Sequence, residues 1–286
     1  MLCIKSISLF QFRNYGQRSF TLNSRLTAIA GRNGTGKTNL LEAVYFCCFT
    51  KGYFSGSDAQ LVQKGAQGMR IAAQFEKNGE PYEVTALIRE TGKKEFRANG
   101  ALCERMADHI GQLPAIVVAP DDVEIIIAGS EERRRFMDAL FSQIDHEYLL
   151  QLMTYNRLLQ QRNSLLKQQA ETGRRQPDLM DVLDSQLAVP AAFVHQKRKA
   201  YLNELIAGVV SRYQAISGES YQPELRYETA LGNEPFPLLL KQNRERDWQH
   251  SEPPPVFTAM ISAFISTEAL LNSLPRRANA KACSSP

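Results

Sequence analysis

One run of eight residues, Gly31-Arg32-Asn33-Gly34-Thr35-Gly36-Lys37-Thr38, constrains this chain more than any other stretch. It fits G-x-x-x-x-G-K-[ST], the loop that wraps nucleotide phosphates. Glycines let a backbone turn where other residues resist, so successive N–H groups converge on an anion. In such a loop Lys37 reaches the β/γ-phosphates and the Thr38 hydroxyl holds Mg²⁺. All eight residues are therefore candidate ATP contacts, and Thr38 is the candidate metal ligand. A chain of this length meets the pattern by accident on the order of one time in a hundred. Context narrows the odds further. Residues 26–30 (Leu-Thr-Ala-Ile-Ala) read as a short buried strand, and residues 39–49 read as an apolar helix. A strand feeding the loop into a helix adds the positive field of the helix N-terminus. The expectation is a nucleoside-triphosphate-binding α/β fold.

Composition sets the class. At 286 residues, with 43% hydrophobic and 22% charged residues, the chain has the make-up of a soluble globular protein with ample length for a core. A formal net charge of +4 permits contact with nucleic acid without demanding it. The cysteines, Cys3, Cys47, Cys48, Cys103 and Cys283, are odd in number and outline no disulfide framework. A reducing, cytoplasmic setting follows, and the N-terminus lacks a signal-peptide layout. Residues 256–274 are poor in charge, but their Ser, Thr and Asn content and Glu268 argue against a membrane span.

Along the chain, residues 4–12 and 20–22 read as strands joined through Arg13-Asn14-Tyr15-Gly16. Residues 69–75, 82–88 and 94–98 form an antiparallel meander, with Asn78-Gly79, Thr91-Gly92 and Asn99-Gly100 as tight turns. Residues 115–118 read as a buried strand stopped by Pro120, and Ser130-Glu131-Glu132 opens a helix with a capping hydroxyl and two acids. From His146 the pattern turns helical: Leu149, Leu152, Asn156, Leu159, Asn163 and Leu166 step by threes and fours, the seam of one helix lying along another. Residues 181–214 form a second helical stretch that Pro190 must kink or interrupt. The expected organisation is an ATPase head over 1–143, a helical arm over 144–215, a return segment over 216–247 and an aberrant or disordered tail over 248–286.

Four stretches resemble the RecF family of DNA replication and repair proteins. They are Leu9-Phe10-Gln11-Phe12-Arg13-Asn14-Tyr15; the phosphate loop continuing into Asn39-Leu40-Leu41-Glu42-Ala43; Pro120-Asp121-Asp122 continuing through Gly129-Ser130-Glu131-Glu132-Arg133-Arg134-Arg135-Phe136-Met137-Asp138; and Tyr155-Asn156-Arg157-Leu158-Leu159-Gln160-Gln161-Arg162-Asn163-Ser164-Leu165-Leu166-Lys167. The resemblance implies a P-loop NTPase head of the ABC and structural-maintenance-of-chromosomes kind, with an antiparallel β meander and a projecting helical arm. It implies ATP and Mg²⁺ as cofactors and an ATP-dependent homodimer. It also implies binding to single-stranded and gapped DNA, and cooperation with the recombination mediators RecO and RecR in recombinase loading.

A working ATPase of this class also needs an acidic residue ending a buried strand, a water-activating carboxylate and a signature loop. No such run follows Asp247, and at residues 115–122 Ala119 and Pro120 separate the apolar run from Asp121, which suits a metal site poorly. Read one base earlier, codons for residues 248–286 permit "GVHRDD" and "SQGQRKS", which look like the family's next two landmarks. A frame slip near Asp247 is therefore expected, and the encoding DNA tests it. Arg133, Arg134 and Arg135 are expected to pair with Glu131 and Glu132, whereas Arg174, Arg175, Lys197, Arg198 and Lys199 could touch phosphates or form a solvated face. Two other functions compete: a P-loop kinase acting on a small molecule, whose lid the paired helices do not suit, and a non-catalytic DNA-binding remnant. No N-K-x-D run supports a GTPase.

Overall fold

The computed structural model describes residues 1–22, 24–89, 91–123, 125, 130–217, 224–228, 236–250 and 262–266. Two compact units emerge: Met1–Ala119 with Ala139–Leu150, and Pro120–Asp138 with Gln151–Pro286.

The first unit is built on a six-stranded antiparallel sheet. Its strands are β1 (Leu2–Phe12), β2 (Tyr15–Thr21), β3 (Gly68–Lys77), β4 (Glu80–Arg89), β5 (Lys94–Ala98) and β6 (Ala101–Leu102). They are ordered β2-β1-β3-β4-β5-β6. The expected meander is present, with β3 and β4 running a little longer than their apolar patterns and β5 at its expected bounds. Its hairpins use the chemistry read from the sequence: Asn78 and Gly79 take φ of 55° and 90°, and Asn99 and Gly100 take 49° and 80°. Paired left-handed residues of this kind match the twist of the flanking strands. Alternation then decides the core. Ile7 and Leu9 on β1, Met69, Ile71, Ala73 and Phe75 on β3, and Val84, Ala86 and Ile88 on β4 are all buried. They pack with Ala43, Phe46 and Cys47 of helix α1 (Lys37–Phe49) in one cluster. Each of the larger ones, Ile, Leu, Met, Phe or Val, contributes roughly 1.5–3 kcal/mol through burial.

Two expectations fail here. Residues 26–30 form no strand and are exposed throughout, with Leu26 88% accessible. Residues 115–118 are not in a ladder either: Ala115 and Val117 pack on the core, while Ile116 and Val118 face outward at 65% and 83% accessibility. Both segments have strand-like composition, and 115–118 keeps the period-two alternation. A strand is completed by a neighbour that satisfies its N–H and C=O groups, and none of the described strands lies beside either segment.

The second unit is mainly helical, and the helical residues 139–150 belong to the first. Helix α2 (Ser130–Ile144) starts at the expected serine, with Glu131 and Glu132 in its first turn. Helix α3 (His146–Thr172) follows, capped by Asp145, whose carboxylate accepts the Tyr148 N–H at 3.0 Å. After a break at residues 173–176 comes helix α4 (Pro177–Ser217), which runs through Pro190 without interruption. The seam of α3 keeps Leu152 and Leu166 of the expected set, with Leu149, Leu159 and Asn163 half-buried and Asn156 exposed; Tyr148, Tyr155, Leu158, Arg162, Leu165 and Gln169 are also buried. Arg162 enters the interior because Asp184 of α4 and Asp247 of helix α5 (Phe236–His250) meet it there, at 2.6 and 2.9 Å. Arg244 of α5 also bonds Asp184, at 2.6 Å. Strands β7 (Glu224–Glu228) and β8 (Ser262–Ser266) pair antiparallel. The segment called an aberrant or disordered tail thus closes α5 and supplies β8; its other residues lie outside the described ones.

Candidate nucleotide-binding site

The phosphate loop is held by its own atoms. The Thr35 hydroxyl donates to the Arg32 carbonyl at 2.8 Å, and the Lys37 ammonium donates to the carbonyls of Gly31 and Arg32, each at 2.8 Å. Gly34 and Gly36 take φ of 79° and 99°, a region that excludes most side chains. Helix α1 begins at Lys37 with no side-chain cap and no acid in its first turn. Its first N–H groups are therefore left for an incoming anion, where the helix field is positive. Arg32, Asn33, Gly34, Thr35 and Thr38 are exposed, and no partner among the described residues holds the Thr38 hydroxyl.

The eight candidate residues thus form one continuous turn leading into a helix start, with an ammonium held on the loop's own carbonyls and a hydroxyl that no described residue engages. This set fits a triphosphate. For Mg²⁺ it offers a single oxygen, since among the described residues no cluster of His, Cys, Asp or Glu could hold a metal ion. Asp121 does not fill the gap: it follows the short 3₁₀ turn's Pro120, and its side chain lies outside the described residues.

Support for the loop comes from residues that read in the sequence as a turn and as part of a RecF-like stretch, without a role. Arg13 sits at φ 53°, and its guanidinium bonds both Glu42 oxygens at 2.9 and 3.2 Å and the Ser55 hydroxyl at 2.6 Å. Glu42, on α1, is 1% accessible and also accepts the Phe54 N–H at 3.1 Å. A buried acid within an apolar helix was the available signal, because such a group requires a charged partner.

Most of the candidate DNA contacts are engaged within the fold. Arg135 pairs with Glu131 and Glu132 at 2.8 and 3.1 Å, as expected. Arg198 is buried and grips both Asp138 oxygens at 2.7 Å. Burial beside Arg198 lowers the Arg134 pKa from its usual value. Arg175 meets Glu245 at 3.1 Å, and Lys197 lies over the Phe193 and Tyr201 rings. Arg174 and Lys199 remain exposed.

Comparison with known proteins now adds to this geometry. An AAA domain model matches residues 6–207. The chain is 33% identical over 244 residues to the DNA replication and repair protein RecF of Flavobacterium johnsoniae, covering 85% of this chain and 68% of that protein. It is 37% identical over 247 residues to RecF of Bacteroides thetaiotaomicron, covering 86% and 66%. Among solved structures, one of the recombination mediator protein RecF-ATP in the RecFOR pathway superposes with a TM-score of 0.81 at 25% identity. That match covers 88% of this chain and 70% of the other. The chain spans about two thirds of the length of the curated relatives it matches.

Proposed function

Because this chain belongs to the RecF family, we propose that it binds ATP through residues 31–38 and serves DNA replication, recombination and repair. The observation that carries this reading is the loop itself: eight contiguous residues whose glycines take left-handed turns, with Lys37 and Thr38 at an uncapped helix start. Similarity to RecF structures with ATP supports the ligand. Lys37 would transfer its ammonium from the Gly31 and Arg32 carbonyls to the β/γ-phosphates. Thr38 would hold Mg²⁺, which when bound neutralises phosphate charge.

The partners in this reading are single-stranded and gapped duplex DNA, the mediators RecO and RecR, and a second copy of the chain that closes on it with ATP. Its setting is the cytoplasm. Turnover is expected to be negligible, because Thr38 is the loop's one candidate Mg²⁺ ligand and no cluster of His, Cys, Asp or Glu among the described residues could hold a metal ion. Calorimetry checks the central point: ATP binding that Lys37→Ala abolishes is expected, and equal binding by the variant refutes the reading. Gel-shift binding to gapped DNA that is indifferent to ATP would instead favour the non-catalytic DNA-binding remnant. Phosphate transfer to a metabolite would favour the kinase.

A further inference from the structure

We infer that Asn14 and Tyr15 are positioning residues that aim the phosphate-binding amides of Thr35 and Lys37. The inference rests on the ATP-site reading above and assigns new roles within that site.

The turn between β1 and β2, with the first residue of β2, touches the loop and α1 at three successive residues. Arg13 is locked to Glu42, one and a half turns into α1. Asn14 accepts a hydrogen bond from the Asn39 amide at 2.8 Å and directs its own amide toward the Gly34 carbonyl at 3.4 Å. The Tyr15 hydroxyl donates to the Gly36 carbonyl at 3.0 Å. Contact is close enough to dictate residue choice. A Cβ on Gly36 would fall 2.7 and 2.8 Å from the Asn14 amide atoms and 2.9 Å from the Tyr15 ring.

The consequence follows from the planarity of the peptide unit. In a trans peptide the C=O of one residue and the N–H of the next point in opposite directions. Holding the Gly34 carbonyl against the turn therefore turns the Thr35 N–H away from it. Holding the Gly36 carbonyl does the same for the Lys37 N–H. Those two amides belong to the set that such a loop directs at phosphate. The Gly36 carbonyl also accepts the Leu40 N–H at 2.9 Å, so the first helical turn and the turn before β2 grip the same oxygen from two sides. Glycine gives the loop the freedom to form, and the two side chains remove that freedom once it has formed. An anion site whose donors are fixed in advance loses less entropy on binding.

The test compares Tyr15→Phe and Asn14→Ala with the unaltered chain for affinity toward ATP and toward inorganic tripolyphosphate, beside the ligand-free unfolding midpoint. Tyr15→Phe keeps the ring and removes one donor, so it should fold. Affinity for both ligands should weaken about tenfold with an unchanged ligand-free midpoint, and Asn14→Ala should follow in the same direction. Unchanged affinity in both variants overturns the proposal, as does an affinity loss matched by an equal loss of ligand-free stability. Lys37→Ala separates the two readings. If Lys37→Ala abolishes binding and Tyr15→Phe does not weaken it, the positioning role alone fails. If the unaltered chain binds neither ligand, both readings fail.

Discussion

His109 illustrates what burial does to a single titratable side chain. It is 2% accessible, its Nε2 lies 2.7 Å from the Cys47 carbonyl, and its Nδ1 has no hydrogen-bond partner among the described residues. The Phe96 ring packs against it, tilted by 57° with centroids 4.6 Å apart. Burial, and secondarily the Lys77 charge, lower its pKa below the usual histidine value, against the opposing pull of the Cys47 carbonyl. The neutral ring with its proton on Nε2 satisfies that carbonyl; a second proton on Nδ1 would be buried without an acceptor. The unfolded chain, with an ordinary pKa near 6.5, takes up that proton first. The stability this group contributes is therefore fully present above about pH 6.5 and lost as pH falls through the folded value. Denaturant titrations from neutral to mildly acidic pH should show stability falling, and His109→Gln should flatten that part of the profile. A profile of equal slope in the variant would place the effect elsewhere.

Elements formed by local pattern were legible in the sequence, and elements formed by distant partners were not. The meander could be read because alternation and Asn-Gly turns are local. The phosphate loop could be read because its chemistry needs fixed residues at fixed spacing. The seam of α3 was legible at Leu152 and Leu166 but not at Arg162, since an interior arginine is costly without counter-charges. The compensating carboxylates, Asp184 and Asp247, are 22 and 85 residues further along the chain and come together only in the fold. Burial raises the Asp247 pKa, with Arg162 pulling it back down, so that corner of the helical unit depends on the arginine. Arg162→Ala should cost about 3–5 kcal/mol in chemical denaturation, because it leaves buried carboxylates short of a counter-charge. A loss under about 1 kcal/mol would mean the helices repack around the gap. The grip of Asn14 and Tyr15 on the loop was hidden for a similar reason: the two residues were readable as a turn, and their partners lie some twenty residues away.

At the scale of the whole molecule, the two segments that find no ladder matter most. Leu26, Ile116 and Val118 present apolar side chains to water on segments whose edges no described strand covers. Such edges recruit other chains. The protein should self-associate at micromolar concentrations, and Ile116→Lys with Val118→Glu should reduce the light scattered by the same sample. A monodisperse unaltered chain would contradict this. Residues 26–30 also run straight into Gly31, so the ribbon and the nucleotide cradle share one stretch of backbone. Whatever polypeptide zips onto that ribbon stiffens the stem of the cradle. By thermodynamic reciprocity, a bound nucleotide then tightens the hold on the polypeptide by the same factor.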